Sequence, residues 1–256
     1  MGGEQRAVVS ARRLTKTFAS AGGGRDVLNA VSLDIRAGDF TVIMGASGAG
    51  KSTLLYALSG MDRPTAGRVT FAGQDLSGLN ESGLARFRRR HAGFVFQQIY
   101  LLDNLSLLDN AVVAGLLVTQ NKAAIAARAL ALFERVRLDR DTILKLPSQV
   151  SGGEAQRAGI VRALINRPAV LFADEPTGAL DQTSGTAVLD VLSAVHRSGQ
   201  TVVMVTHDLK SARRGNRILF LRDGEVTGDL DLPPYRSRGG EERNARLRAF
   251  LDGQGW

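Results

Sequence analysis

Residues 40–53, Phe-Thr-Val-Ile-Met-Gly-Ala-Ser-Gly-Ala-Gly-Lys-Ser-Thr, decide the fold of this chain. The apolar, β-branched run Phe40 to Met44 predicts a buried strand, and a helix is predicted from Lys51 to Ser59. The loop between them fits the pattern G-x-x-x-x-G-K-[ST]. Its backbone amides and the positive end of the helix suit phosphate. Lys51 would then reach the β- and γ-phosphates, and the Ser52 hydroxyl would coordinate Mg²⁺.

A second apolar run, Ala169 to Ala173, ends abruptly in Asp174-Glu175-Pro176. In an open parallel sheet, ligands bind beyond the carboxyl ends of the strands, so both carboxylates are predicted beside the phosphate loop. Asp174 suits a place in the Mg²⁺ shell, usually through water, and Glu175 suits polarising an attacking water. The alternative for this stretch alone is a strand followed by a charged turn.

The tetrapeptide Ser151-Gly152-Gly153-Glu154 predicts a second helix start that could bind an anion. Ser151 would cap an amphipathic helix from Ala155 to Ile165, and backbone amides at its start would face an anion. A plain capped helix is the alternative reading of the tetrapeptide by itself.

Strands and helices alternate along most of the chain, which predicts the α/β class. The opening strands, Ala7 to Ser10 and Val27 to Ile35, are expected to pair antiparallel across the flexible residues 21–24. From about Ser106 to Asn166, Ala, Leu and Arg at helical spacing predict a helical insert. The elements predicted after it are a helix over Gln182–Arg197, a strand over Thr201–Val205, a short helix after Asp208 and a hairpin over Arg217–Leu230.

Several motifs stand together in the order and at the spacing of a known family. They are Gly45–Thr53, Gln97, Ser151–Gln156, Asp174-Glu175, Ala179-Leu180-Asp181 and His207. With them the chain resembles the nucleotide-binding subunit of an ATP-binding cassette (ABC) transporter over roughly residues 7–230. The runs Arg88–Gln97 and Leu101–Ser106 are similar to the MacB-, LolD- and FtsE-like branch, which includes antimicrobial-peptide efflux ATPases.

The resemblance implies a P-loop ATPase fold of the ABC type. Its central sheet would be mostly parallel, with an antiparallel β subdomain and a helical subdomain inserted. One ABC ATPase domain is expected at residues 1–230, with its core in 1–96 and 168–230 and its helical subdomain in 97–167. The charged tail, 231–256, is expected to form a solvated terminal helix.

The resemblance also assigns roles to residues. Glu175 would polarise the attacking water, His207 would contact the γ-phosphate, and Gln97 would touch Mg²⁺ and the partner. The metal ligands implied are Ser52, Gln97 and Asp174. The residues implied in ATP binding are Phe18, which would stack on adenine, and Gly45, Ala46, Ser47, Gly48, Ala49, Gly50, Lys51, Ser52, Thr53, Ser151, Gly152, Gly153 and Asp181.

Partners follow from the same resemblance. In the family, residues equivalent to 151–153 of one subunit cover the ATP held by the phosphate loop of the other, so a second copy is expected. ATP hydrolysis would drive a separately encoded permease of the FtsX/MacB type at the cytoplasmic face of the cell membrane. Export, or extrusion of a lipid, lipoprotein or antimicrobial peptide, is the expected function. The alternative is a regulatory ATPase that controls cell-wall hydrolysis through its permease without transport.

The net positive charge of the chain favours one further class of protein. The chain has 256 residues and 33 Lys plus Arg against 25 Asp plus Glu, a net charge of +8 that suits polyanions. An ABC ATPase acting on DNA or ribosomes is therefore the rival class. Such proteins normally carry two cassettes, a long coiled coil or a zinc insert, so no nucleic acid partner is expected.

The sequence also contains no cysteine and no apolar stretch long enough for a membrane helix, and these absences exclude several kinds of site and of protein. With no cysteine, the chain has no disulfide, thiolate metal site or cysteine nucleophile. The longest apolar stretch, Ala111 to Val118, falls well short of the roughly 20 residues that a membrane helix needs. Residues Met1–Arg6 show no apolar core of a signal peptide and no myristoylation motif, so we expect a peripheral protein without a membrane span.

Overall fold

The computed structural model describes residues 7–20, 23–236 and 240–256. Contacts divide the chain into two compact units, the first formed by Met1–Leu84 with Thr201–Trp256 and the second by Ala85–Gln200. Residues 1–6, where no signal peptide is expected, residues 21 and 22 of the flexible stretch and residues 237–239 of the tail lie outside the described residues. The division into one ATPase domain and a tail stays a prediction.

Within the described residues, the first unit combines two groups of strands with three helices. Its strands are β1 (Ala7–Ser20), β2 (Gly23–Arg36), β3 (Phe40–Met44), β4 (Ala66–Phe71), β5 (Gln74–Asp75), β8 (Thr201–Val205), β9 (Arg217–Arg222) and β10 (Glu225–Asp231). Its helices are α1 (Lys51–Ser59), α8 (Leu209–Ala212) and α9 (Glu241–Gly253), and α2 (Glu81–His91) runs from this unit into the second.

The antiparallel opening predicted from the sequence is confirmed, but its strands are longer than expected. Strand β1 pairs antiparallel with both β2 and β4. β1 and β2 have 14 residues each. Register shifts, including one between Ala11 and Leu14, interrupt the side-chain alternation, and Arg13 between them has a φ of 49°. Because bulges break the period of two, the sequence pattern ends before the strand does.

A parallel group of strands forms the core of the first unit. Strand β3 lies between β8 and β9, parallel to both, and β10 pairs antiparallel with β9. Every residue of β3 and β8 is buried. Strands covered on both faces need continuous apolar runs, which explains why these two strands could be located from the sequence.

The second unit is mostly helical around two parallel strands. Its elements are β6 (Ala92–Val95), β7 (Val170–Asp174), α3 (Leu107–Leu116), α4 (Lys122–Arg135), α5 (Arg140–Ile143), α6 (Gly152–Leu164) and α7 (Gln182–Arg197). Helix α6 packs on α3, α4, α7 and β6. Buried Asn110 receives a hydrogen bond from the Leu102 amide (2.7 Å) and donates to the Leu105 carbonyl (3.2 Å), fastening the chain before α3. The helical insert is therefore confirmed.

Helix α9 corrects the prediction of a solvated tail. Leu247 and Leu251 are buried, and Phe250 packs over Gly228 of β10. Arg243 is also buried, and it donates to the carbonyl oxygens of Pro233 (2.9 Å) and Arg213 (2.6 Å). The helix docks because its few apolar residues share one face, although charged residues dominate its composition.

Candidate functional site

The loop between β3 and α1 has a backbone path that depends on glycine. Gly48 and Gly50 have φ values of 79° and 96°, in the left-handed region that side chains disfavour. At Gly50 a Cβ would lie 2.6 Å from the Val27 carbonyl oxygen, and at Gly45 it would overlap the Leu221 carbonyl oxygen. Backbone carbonyls of neighbouring segments thus pack closely against this loop, while no atom of the described residues lies within 4 Å of the Cβ position at Gly48.

Helix α1 begins directly at this loop. Gly50 is its N-cap, and no side chain among the described residues caps it. Lys51 is buried, and its Nζ donates to the carbonyl oxygens of Gly45 (2.8 Å) and Ala46 (2.9 Å), so the ammonium group lies inside the curve of the loop. Ser52 and Thr53 follow in the first turn. Backbone amides, the positive helix end and a lysine thus converge at one place, the combination that binds phosphate groups.

His207 lies at the same edge of the parallel strands as this loop. Strands β3 and β8 are parallel neighbours, with Ile43 opposite Val205, so their carboxyl ends lie side by side. The Thr206 amide donates to the Ile43 carbonyl (3.2 Å), and the exposed His207 comes next in the chain. Asp208 then caps α8. The first unit therefore brings the phosphate loop and the predicted γ-phosphate contact to one edge.

Phe18 is an exposed aromatic side chain on β1. Its relative exposure is 45%, and the Lys16 ammonium lies 5.0 Å from the ring centroid. An accessible ring with a cation nearby is suited to stacking on a nucleotide base that carries phosphates. Its contact with adenine stays a prediction.

The second unit gathers Gln97, Asp174 and Glu175. Strands β6 and β7 are parallel neighbours, with Val95 opposite Ala173, so the residues that follow them emerge at one edge. Asp174 is buried at the end of β7, and Glu175 has a φ of 44°. A non-glycine residue in the left-handed region is strained, as is common at functional sites. A Cβ at Gly178 would lie 2.9 Å from Gln97 Nε2, so Gln97 packs on the turn after Glu175.

The turn at Ser151 forms a capping box at the start of α6. The Ser151 hydroxyl accepts from the Glu154 amide (3.3 Å), and Glu154 Oε2 accepts from the Ser151 amide (2.7 Å) and hydroxyl (2.8 Å). These hydrogen bonds, that from the Ser151 amide foremost, lower the pKa of Glu154. The prediction that Ser151 caps this helix is confirmed, although the helix begins at Gly152 rather than Ala155.

The starts of α6 and α7 lie side by side. A Cβ at Gly153 would be 2.8 Å from the Ser184 Cβ, so glycine allows the close approach. Asp181 caps α7 by accepting from the amides of Thr183 (2.9 Å) and Ser184 (3.0 Å). Hydrogen bonds from Ser184 hold the pKa of Asp181 below its usual range. Asp181 and the Ser151 turn therefore belong to one local cluster.

Gln156 is a residue of this cluster whose role the sequence reasoning missed. It is 1% exposed, and its Nε2 donates to the carbonyl oxygens of Phe96 (2.9 Å) and Pro176 (2.7 Å). One side chain of α6 thereby ties the chain before Gln97 to the chain after Glu175. The available signal was a glutamine among Ala155, Ala158 and Ile160 on the buried face of the helix, where a polar group needs partners.

The donor chemistry of the predicted metal ligands fits Mg²⁺. A carboxylate, an amide oxygen and a hydroxyl are hard oxygen donors, and Mg²⁺ usually takes few protein ligands besides substrate phosphates and water. Across the described part of the chain, no group of three or more His, Cys, Asp or Glu side chains could hold a metal ion alone. This is compatible with an ion held largely by a nucleotide. Ser52, Gln97 and Asp174 as its ligands stay predictions.

Comparisons with known proteins agree with this geometry. The sequence profile described as ABC transporter matches residues 28–178. The chain belongs to the ABC transporter family. It is 43% identical over 216 residues to the macrolide export ATP-binding/permease protein MacB of Brucella melitensis, covering 84% of this chain and 33% of that protein. With MacB 1 of Aeromonas hydrophila it shares 47% over 209 residues, 82% of this chain and 32% of that protein.

Solved ABC structures have the same fold. The dimeric, post-hydrolysis structure of the ATP-binding cassette MJ0796 bound to ADP and Pi has a TM-score of 0.81 at 36% identity, covering 89% of this chain and all of that one. A TM-score of 0.77 at 23% identity to CbiO1 of Clostridium perfringens supports the fold alone. The predicted family, the α/β fold of the ABC type and the ATPase class of the enzyme are confirmed.

The chain spans about a third of the length of the curated relatives it matches. Among the described helices, none is both long enough and apolar enough to cross a membrane.

Proposed function

We propose that two copies of this ABC chain bind ATP between them and use its hydrolysis to drive a membrane permease of the macrolide-export type. The observation that carries the proposal is the start of α1, where glycine-dependent backbone, the uncapped helix end and buried Lys51 converge. The relatives named above are ATP-binding/permease proteins, and a cassette structure similar to this one is dimeric. The cytoplasmic face of the cell membrane is the proposed location, because the permease partner lies in the membrane.

Each residue of the proposed ATP site has a role that follows from the chemistry of its side chain. Lys51 neutralises the charge of the β- and γ-phosphates, and the amides at the start of α1 orient them. Glu175 accepts a hydrogen bond from the attacking water, and His207 donates one to the γ-phosphate. The Phe18 ring stacks on adenine. Ser52, Gln97 and Asp174 would hold Mg²⁺, which supplies charge neutralisation at the phosphates when bound.

The Ser151 turn is proposed to act on the other copy. Its capping box holds the start of α6 in shape while the amides of Gly152 and Gly153 stay at the helix end, where an anion is favoured. A chain with two anion-suited helix starts can cover the nucleotide of its partner with one while binding its own with the other. ATP would then join the copies, and hydrolysis would release them because ATP binds the closed state better.

Replacing the proposed base tests the chemistry. Glu175→Gln keeps the shape of the side chain but removes the carboxylate, so we expect ATP binding to persist and phosphate release to fall at least about 100-fold. Glu134→Gln, an exposed change on α4 in the same unit, is the matched control and should hydrolyse ATP normally. Normal phosphate release by Glu175→Gln would refute its assigned role.

The permease is tested by capture from native membranes. A tagged chain carrying Glu175→Gln, incubated with ATP and extracted in mild detergent, is expected to copurify with an integral membrane protein. Mass spectrometry then identifies that protein, and Lys51→Ala treated identically is the control, because it should not reach the ATP-bound state. Recovery of nucleic acid or ribosomes in place of a membrane protein would contradict the proposed partner.

A further inference from the structure

A cleft of about 240 Å³ lies in the second unit where helices α4, α6 and α7 end. Arg128 and Arg135 of α4 line it together with Ser198 and Gln200, and the described lining contains no carboxylate. None of these residues belongs to the nucleotide motifs. The proposed nucleotide site therefore does not explain the cleft.

Hydrogen bonds hold both guanidinium groups in place. Arg128 donates through Nε to the Ile165 carbonyl (2.8 Å) and through Nη2 to the Leu164 carbonyl (2.9 Å). Arg135 donates through Nη2 to Ser198 Oγ (2.9 Å). Arg128 Nη1 and Arg135 Nε and Nη1 have no further partner within the part of the chain that the structure describes. These donors are thus positioned and available.

The charges around the cleft repel one another. Burial lowers the pKa of Arg128, and the positive charges of Arg167 and Arg135 lower it further. None of the three arginines forms an ion pair with a described residue. Three neighbouring cations, with no carboxylate in the described lining, destabilise the cleft, and a bound anion would reverse that effect.

Capping of α6 explains only part of this arrangement. The Leu164 and Ile165 carbonyls lie at the end of that helix, and Arg128 satisfies them. This role does not require Arg135 and Arg167 to lie close enough to repel Arg128. An additional role for the three together accounts for the unbalanced charge.

We propose that the arginine cleft, lined by Arg128, Arg135 and Ser198 and with the charge of Arg167 nearby, binds a phosphate-type anion. Guanidinium groups match phosphate oxygens in pairs and carry a charge that does not titrate, so arginine suits such a ligand better than lysine. The anion is inorganic phosphate or the phosphate of a phosphorylated small molecule. This inference does not rest on the proposed function, because every residue involved lies outside the nucleotide motifs.

Titration of the full chain carrying Lys51→Ala tests the proposal, since that change weakens phosphate binding in the loop before α1. Calorimetry at constant ionic strength, with inorganic phosphate and glycerol phosphate as separate probes, should detect one site. Tighter binding of the ester would identify a phosphorylated small molecule, and tighter binding of phosphate the free anion. Absence of binding for both probes would overturn the proposal.

Variants in the same background locate the site. Arg135→Gln should weaken binding about tenfold, as expected for one charge-assisted hydrogen bond. Arg140→Gln, an exposed arginine change in the same unit, should leave affinity unchanged. Equal weakening by the two would mean diffuse charge attraction and would overturn the site.

Thermal unfolding separates binding from a structural role. Arg167→Gln removes repulsion, so its Tm in chloride should equal or exceed that of the parent, and phosphate should raise it less than it raises the parent. This variant removes none of the hydrogen bonds that cap α6, so folding is retained. A lower Tm by the same amount in both salts would assign Arg167 a structural role and contradict the proposal.

Discussion

Replacing Gln156 by methionine should loosen the second unit around Gln97 and Glu175. The side chain is 1% exposed, and its Nε2 is the donor to two carbonyl oxygens, of Phe96 and Pro176. Methionine has a similar length and fills the space without a donor. Both carbonyls would lose this hydrogen bond, the one at Pro176 in a buried place and the one at Phe96 in a partly buried place.

The size of the effect follows from these contacts. A buried polar group left without a partner costs about 1–3 kcal/mol, so two carbonyls would cost about 2–6 kcal/mol. Gln156 Oε1 itself has no hydrogen-bond partner among the described residues, and its removal offsets one such cost. The expected net loss in the free energy of unfolding is about 1–3 kcal/mol. For a chain of this length that lowers Tm by about 2–12 °C.

Two measurements check this prediction. Urea denaturation should show the loss in stability, with Gln120→Met, an exposed change in the same unit, as the control that stays near the parent. The kcat for ATP hydrolysis should also fall, while the Kd for ATP stays unchanged because Lys51 lies in the other unit. Parental stability and kcat in Gln156→Met would refute the reasoning that this residue joins the two loops.

Three further changes probe other parts of the account. Lys51→Ala should abolish ATP binding measured by calorimetry, whereas exposed Lys122→Ala should not; an unchanged titration for the first would exclude the phosphate loop as the site. Ser151→Ala should lower the free energy of unfolding by about 1 kcal/mol at neutral pH. Because the pKa of Glu154 is lowered in the folded state, the stability from this capping box is present above the usual carboxyl pKa and lost as pH falls through the folded value, so the difference should shrink in acid; a difference independent of pH would argue against it. Leu251→Ala should cost about 2–5 kcal/mol and speed amide exchange in α9, and exchange equal to that of the parent would mean that the helix is not docked.

Much of the fold could be predicted because local patterns and tertiary environment agree. The bounds predicted for the strands over 40–44 and 201–205 and for the helices over 51–59 and 182–197 match those observed. The strands are buried and are apolar except for Thr41 and Thr201, and the helices end at glycine or a polar turn. Bulges in β1 and β2 hide the period of two, so those strands could not be read at full length.

The candidate site was predictable where function constrains several neighbouring residues at once. The loop at 45–53 can be recognised in the sequence because its backbone requires glycines and because Lys51 stands beside them. Gln156 could not be found in this way, because its importance depends on two carbonyl oxygens far apart in the sequence. The docking of α9 was missed for a similar reason, since the surface that buries Leu247 and Leu251 comes from other parts of the chain.

Two copies of the chain are proposed to share their nucleotides, and the molar mass of Glu175→Gln in solution tests this sharing most directly. Light scattering on a size-exclusion column should give 27.3 kDa without nucleotide and twice that value with ATP and Mg²⁺. Adding Ser151→Phe should return the monomer although calorimetry still detects ATP binding, because only the partner's surface is lost. A monomer at every ATP concentration in Glu175→Gln, with ATP binding intact, would contradict the account.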